Sequence, residues 1–189
     1  MSSRRSSDLT MFGAALLVLA ADQISKHLVR VHLNHSMPWS PASWLRPILS
    51  LTYVTNRGAA FGLFPKLAWL YTLIAVVVVA LILLSYRRLP LDHWLVHLSL
   101  GLQLGGATGN LVERLWHGWQ SWVADGQWVA WVTDFIDLNF WPLQQWPVFN
   151  LADSAIVVGS CILAVLLLLE EEPTSACPDT QLGEDEVGH

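Results

Sequence analysis

The residues best placed to do chemistry in this chain are two aspartates. Asp153 opens the last hydrophobic segment, in Phe149-Asn150-Leu151-Ala152-Asp153-Ser154-Ala155, and Asp134 sits in the tryptophan-rich stretch before it. A carboxylate at a membrane boundary is costly unless something solvates it, so its presence there is a functional signal. Two carboxylates gathered at one low-dielectric site cannot both ionise easily. One keeps a proton while the other stays charged, and such a pair can split water across a peptide bond. Asp153 also has a purely structural reading, because Asn150 followed three residues later by an acid forms a capping box, and an acid in the first turn suits the helix dipole.

The stretch before Asn150 offers three acids: Asp125, Asp134 and Asp137. In an extended Val129–Leu138, Asp134 shares a face with Val132, Ile136 and Leu138, whereas Asp137 shares one with Thr133, Phe135 and Asn139. A desolvated acid is the better candidate for a raised pKa, which favours Asp134. Asp125, beside Gly126, reads as a turn residue.

Other polar residues fall where apolar ones would be ordinary. Asn110, Glu113 and Arg114 lie within one turn of each other; an interfacial ion pair is the plain reading, and a hold on a peptide backbone or polar head group the functional one. Asp22 and Lys26 are four apart on one helix face and suit mutual neutralisation. At Asn56-Arg57-Gly58-Ala59-Ala60-Phe61-Gly62 the side chains become small after a predicted strand, which lets a backbone or lipid chain lie close at Gly58. The seven histidines lack ligand spacing, and Cys161 and Cys177 suggest neither a disulfide framework nor a metal site. No serine-nucleophile motif, metalloprotease motif, cofactor signature or basic nucleic-acid stripe is present.

Membrane helices must position these groups. The 189 residues are 53% hydrophobic and 13% charged, a balance that excludes a disordered chain and argues against an ordinary soluble domain. Apolar stretches at Met11–Val31, Leu67–Tyr86, Leu95–Leu115 and Asn150–Leu169 each approach the ~20 residues that cross a bilayer, predicting four spanning helices. Gly101, Gly105 and Gly109 give the third a face for close helix approach. The first, following Arg4-Arg5, has some likeness to a cleaved secretory signal, but removing it would leave an odd number of spans. An uncleaved start places both termini and the Pro90 turn on the cytoplasmic side, as the positive-inside tendency prefers.

Of eleven tryptophans only Trp94 falls at that inner end; the rest mark the outer loops and helix ends, where amphipathic rings settle at headgroup level. Leu49–Thr55 and Trp128–Phe135 read as strands. Residues 1–169 read as one membrane domain and 170–189 as an acidic, disordered tail, which holds seven of the fifteen acids behind the net charge of -5. A small transporter or lipid-binding protein using the intramembrane charges is the rival class, although no internal repeat supports a transporter.

Read in order, Asp22-Gln23-Ile24-Ser25-Lys26, Asn56-Arg57-Gly58-Ala59-Ala60-Phe61, Gly105-Gly106-Ala107-Thr108-Gly109-Asn110 with Arg114, Asp134-Phe135-Ile136-Asp137, and Phe149-Asn150-Leu151-Ala152-Asp153-Ser154 closely resemble the lipoprotein signal peptidase (signal peptidase II) family. The resemblance covers Leu16 to Leu169. It implies an aspartic endopeptidase of the bacterial inner membrane, its site toward the periplasm, that removes signal peptides from prolipoproteins before the diacylglyceryl-modified cysteine. It implies a catalytic pair at Asp134 and Asp153, a substrate site lined by Asn56, Asn110, Arg114 and Asn150, and support from Asp22, Lys26 and Gly58. It also implies an extracytoplasmic β-cradle, contact with membrane lipid, inhibition by globomycin, and no metal or other cofactor. Two departures stand out: Glu113 where the family usually has Asp, and a longer, tryptophan-rich Trp116–Thr133, which is expected to form a loop.

Overall fold

The structure is a computed structural model that describes residues 2–33, 35, 37–58, 67–87 and 94–170, with the side chains of 2–5, 145 and 170 excepted. The small residues 59–62, the Pro90 turn and the tail beyond residue 170 lie outside the described residues. Four helices, α1 (Ser2–His32), α2 (Ala68–Ser85), α3 (Trp94–Asp125) and α4 (Leu151–Glu170), are joined by two strands, β1 (Leu49–Asn56) and β2 (Val132–Leu138).

Helix α3 is central, with α1, α2 and α4 all packed on it. Its glycines make this possible. A Cβ added at Gly105 would lie 2.6 Å from the Ala15 carbonyl oxygen, and one at Gly109 would lie 2.6 Å from the Asp22 carboxylate, so the expected glycine face receives α1. On the opposite side an added Cβ at Gly106 would overlap the Ala152 carbonyl oxygen, and one at Gly159 would come within 2.6 Å of the Ser99 carbonyl oxygen, which brings α4 equally close. Small-residue contact of this kind is how helices associate where lipid removes most of the hydrophobic drive between them. A cluster of Met11, Ala15, Tyr86, Val96, Leu100 and Leu104 fills the bundle at the end away from the aspartates.

By length and composition α1, α2 and α4 can each cross a membrane, and their Leu and Val side chains are exposed along the outer faces, as bilayer-facing helices require. The third expected span, α3, is long enough but too polar to qualify on that measure, since it buries Ser99, Glu113 and Arg114 inside the bundle.

The strands pair antiparallel, Leu49 opposite Leu138 and Asn56 opposite Val132, with an irregularity between Leu51 and Val54. Trp39 pairs with Leu51 and Phe149 with Ile136, so Trp39, Leu51, Ile136 and Phe149 form one lane across a small, curved sheet. Leu49–Asn56 matches the expected first strand with one residue added. The second starts at Val132 instead of Trp128, and α3 runs on to Asp125, so the stretch expected as a loop from Trp116 is helical for its first ten residues. The sequence Trp116–Ala124 contains no proline and no β-branched run, and the returning chain covers its inner side: Trp128 packs on Gly118, Val129 N–H donates to Ser121 Oγ at 2.8 Å, and Trp131 stacks on His117.

Candidate active site

The pairing of Phe149 with Ile136 is what joins the two aspartates. Phe149 and β2 exchange backbone hydrogen bonds of 2.7–3.1 Å, which delivers Asn150, the next residue, to the start of α4 directly beside Asp134. Asn150 is completely buried and acts as a hub. Its Oδ1 accepts from the Asp153 N–H at 2.9 Å, while its own N–H donates to Asp153 Oδ2 at 3.2 Å, a reciprocal capping box as the local sequence foretold. Its Nδ2 donates to Asp134 Oδ1 at 2.6 Å. One asparagine thus touches both carboxylates.

Two further side chains fix the pair, and Arg114 lies beside them. Asn56, at the end of β1, donates from Nδ2 to Asp134 Oδ2 at 2.8 Å, and its Oδ1 accepts the Gly58 N–H at 2.9 Å. Asn110 of α3 donates from Nδ2 to Asp153 Oδ1 at 2.8 Å. The orientation of that amide follows from Lys26, which can only donate and reaches Asn110 Oδ1 at 2.9 Å, leaving Nδ2 to face Asp153. Arg114 donates to the Gly58 carbonyl at 2.9 Å and lies over the Tyr71 ring, while its buried Nη1 has no hydrogen-bond partner among the described residues.

Behind the aspartates lies a buried ionic cluster. Lys26 pairs with Asp22 at 2.8 Å and Glu113 at 3.2 Å, with Asp22 and Lys26 wholly inaccessible. Asp22 Oδ1 also accepts the Ala152 N–H at 3.0 Å, tying α1 to the N-terminus of α4. The pairing expected of Asp22 and Lys26 is therefore present, but it belongs to a larger set. Glu113 pairs with Lys26 and Arg30, not with its neighbour Arg114. It also accepts the Thr133 N–H at 2.9 Å and the Thr133 hydroxyl at 2.8 Å, clamping the residue just before Asp134. Sequence reading missed this clamp. Its visible signal is that Asp22, Lys26 and Arg30 recur every four residues on one face of α1.

Of the three acids considered, Asp134 is 2% exposed and in the cluster, Asp137 takes the Thr52 hydroxyl at 3.2 Å on the far side of the sheet, and Asp125 is exposed at the end of α3. Burial does not alternate along β2 as predicted, because Thr133 and Phe135 are buried as well. Glu113 and Arg30 cover one face at its start, which leaves no solvent side. Burial pushes the Asp134 carboxyl up to about 7, the charge of Asp153 adding to the effect, against hydrogen bonds from Asn56 and Asn150 and the charge of Lys26. A carboxyl that keeps its proton near neutrality can donate it, and a charged neighbour can accept one, which is what acid–base hydrolysis without a covalent step needs.

A groove of about 590 Å³ opens onto these groups. Asn56, Asn110, Arg114, Asp134 and Asp153 form its polar floor, and Trp146, Phe149, Val157 and Val158 its apolar wall. No described group of His, Cys, Asp or Glu has the arrangement of a metal site.

The family described as signal peptidase (SPase) II matches residues 14–169. The chain belongs to the signal peptidase II family. A lipoprotein signal peptidase of Moorella thermoacetica is 45% identical over 157 residues, covering 82% of this chain and 90% of the relative. One from Syntrophomonas wolfei is 42% identical over 165 residues, covering 86% and 95%. A bacterial membrane enzyme solved by the in meso method superposes with a TM-score of 0.69 at 22% identity, covering 95% of this chain and 94% of the other, a likeness of fold. Signal peptidase II membership makes this chain a protease of the multi-pass membrane class.

Proposed function

We propose that this chain removes signal peptides from prolipoproteins as an aspartic endopeptidase, cutting before a diacylglyceryl-modified cysteine. The observation that carries the reading is Asn150 bonded to both Asp134 and Asp153 at the head of an amphipathic groove. Asp153 acts as general base on a water, while protonated Asp134 polarises the scissile carbonyl and then supplies a proton to the leaving amine. Both oxygens of Asp153 accept N–H donors, from Asn110 and from the Asn150 backbone, which fixes the carboxylate in place. The Nη1 of Arg114, without a partner among the described residues, donates to a carbonyl of the bound peptide, satisfying a donor that burial would otherwise make costly. Asn56 and Asn110 hold the acids and border the peptide, while Asn150, expected to line the substrate site, is buried and holds the acids from behind the groove. The lipid on the substrate cysteine lies along Val157 and Val158, so that acyl-chain binding positions the bond.

The same reading takes α3 as a fourth span, the sheet as an extracytoplasmic cradle, and residues 1–169 as one protease domain with an inner-side acidic tail. It places the enzyme in the bacterial inner membrane with the groove toward the periplasm, and makes globomycin-type peptides its inhibitors. The rival transporter reading, which uses Asp22, Lys26, Glu113 and Arg114, gains little from them, because the first three are paired with one another and with Arg30, and Arg114 holds the Gly58 carbonyl. The test is incubation of purified protein with a lipidated prolipoprotein. Asp134→Asn and Asp153→Asn are each expected to lower cleavage by about 1000-fold or more with thermal unfolding little changed, since Asn still caps and still fills the site. Cleavage within about ten-fold of the parent in either variant refutes the assignment.

A further inference from the structure

Strand β2 is supported unequally along its two edges. β1 pairs with it from Leu138 to Val132, while Phe149 meets the other edge at Phe135 and Ile136. At Thr133 no described strand reaches that second edge. Amides two residues apart in a strand point the same way, so the Thr133 N–H looks out on the side of Phe135 N–H. Thr133 is wholly buried, and an unpaired amide there would be costly. The carboxylate of Glu113 on α3 stands in for the missing strand: Oε2 accepts the Thr133 N–H at 2.9 Å and Oε1 the Thr133 hydroxyl at 2.8 Å. The next residue is Asp134.

Glu113 is 3% exposed, and two cations of α1 hold it. Lys26 reaches Oε2 at 3.2 Å, but it is shared with Asp22 at 2.8 Å and with Asn110 Oδ1 at 2.9 Å, the amide that donates to Asp153. Arg30 is the cation committed to this corner. Its Nη1 donates to Glu113 Oε1 and, at 3.1 Å, to Thr133 Oγ1, so Arg30, Glu113 and Thr133 close a ring. The charges of Asp22 and Glu113 balance those of Lys26 and Arg30; without Arg30 a buried carboxylate is uncompensated, and Lys26 is drawn toward Glu113 and away from Asn110. His117, also basic, stands 4.0 Å from Glu113 and is stacked flat on Trp131, so it does not replace Arg30. The described bonds of Arg30 reach neither aspartate, and Arg30 does not line the groove.

We propose that Arg30 is a positioning residue for the proteolysis, acting through Glu113 and Thr133 to hold Asp134 in place opposite Asp153. The inference rests on the protease reading. A guanidinium suits the task because one of its nitrogens bridges carboxylate and hydroxyl while the charge stays delocalised over the fork; a lysine ammonium keeps the charge and loses that geometry. Because Arg30 stands apart from the groove, its removal acts on turnover and leaves substrate binding in place.

The experiment is steady-state cleavage of a lipidated prolipoprotein by the full chain in detergent, comparing the parent with Arg30→Gln, Arg30→Lys, Thr133→Val and Arg30→Gln/Thr133→Val below the unfolding temperature of each. Arg30→Gln is expected to lower kcat about 100-fold, the scale of a catalytic group displaced by roughly 1 Å, with KM within about three-fold. Arg30→Lys is expected to restore kcat to about ten-fold below the parent. Thr133→Val keeps the N–H and lacks the hydroxyl, and is expected to lose about ten-fold. The double variant is expected to be no slower than Arg30→Gln alone, since both changes break the same ring. The proposal is overturned by a kcat for Arg30→Gln within about three-fold of the parent, by a loss that lies in KM, by Arg30→Lys no faster than Arg30→Gln, or by a double variant whose loss is the product of the single ones. If Arg30→Gln does not fold, the cycle is run with Arg30→Lys, where multiplied losses again overturn it. A parent that cleaves nothing refutes the protease reading and this inference with it; a parent that cleaves beside unaffected Arg30 variants refutes this inference alone.

Discussion

At the scale of single residues, the fold makes two like side chains unlike. Asp134 is buried and shares its pocket with a charge, whereas Asp153 sits at a helix N-terminus with donors on both oxygens. With the Asp134 carboxyl at about 7, the acid form is lost as pH rises past that point, so kcat/KM is expected to fall about ten-fold per pH unit above ~7. A cleavage profile flat to pH 9 contradicts the assignment of the proton to Asp134. The same shift sets a sign for stability. The folded pKa lies above the unfolded 3.8, so this group's contribution is fully present below 3.8 and is lost as pH rises through about 7, which urea titrations at pH 5 and pH 8 compare directly. Glu113 supplies a second residue-scale prediction. Glu113→Gln leaves Lys26 and Arg30 under-compensated and frees Thr133; it is expected to cost about 3–5 kcal/mol of stability in denaturant titration and to lower kcat more than it raises KM, because the acid on β2 loses its anchor.

At the scale of elements, the decisive feature is how near three helices come. The four-residue glycine repeat was legible and correctly marked a packing face, yet only the fold shows that Gly106, off that repeat, is what admits α4. Gly106→Ala is expected to destabilise by about 1–3 kcal/mol, measured by unfolding, and to cut cleavage further by pushing Ala152, and with it Asp153, off Asn110. Unfolding and activity unchanged from the parent show that α4 has slack there. Alternation picked Asp134 over Asp137 by a pattern that β2 does not follow, since its first residues are covered on both faces. Burial, not periodicity, distinguishes the two acids. The length of α3 was misjudged for a related reason: Trp116–Ala124 looks like a loop when tryptophan is read only as an interface marker, and becomes helical because Trp128, Val129 and Trp131 fold back to cover it.

At the scale of the whole molecule, the helix rise places Asn110 about 24 Å from Trp94, several residues short of the outer tryptophans. On the proposed topology the aspartates lie below the outer headgroups, at the depth where the proposed lipid-anchored cysteine and its peptide would meet. In a chain with Cys161 and Cys177 replaced by serine, a cysteine at Trp141 is expected to react with a membrane-impermeant maleimide from outside the inner membrane, and one at Arg87 only after permeabilisation. Outside labelling of both positions breaks the topology with four spans.

The sequence by itself determined that this is a membrane chain with two boundary acids, a glycine-faced third helix and the ordered motifs of its family, because composition, hydropathy and short-range spacing are local quantities. Tertiary structure decided which donors meet which carboxylate, that Glu113 turns to Lys26, Arg30 and Thr133, and that Asp134 rather than Asp153 lies in the drier place. Those outcomes depend on Phe149 pairing with β2 and on α1, α3 and α4 meeting at small residues. Contacts between segments 16 to 130 residues apart in the chain leave no periodic trace along it, so proton affinity at the site belongs to the fold.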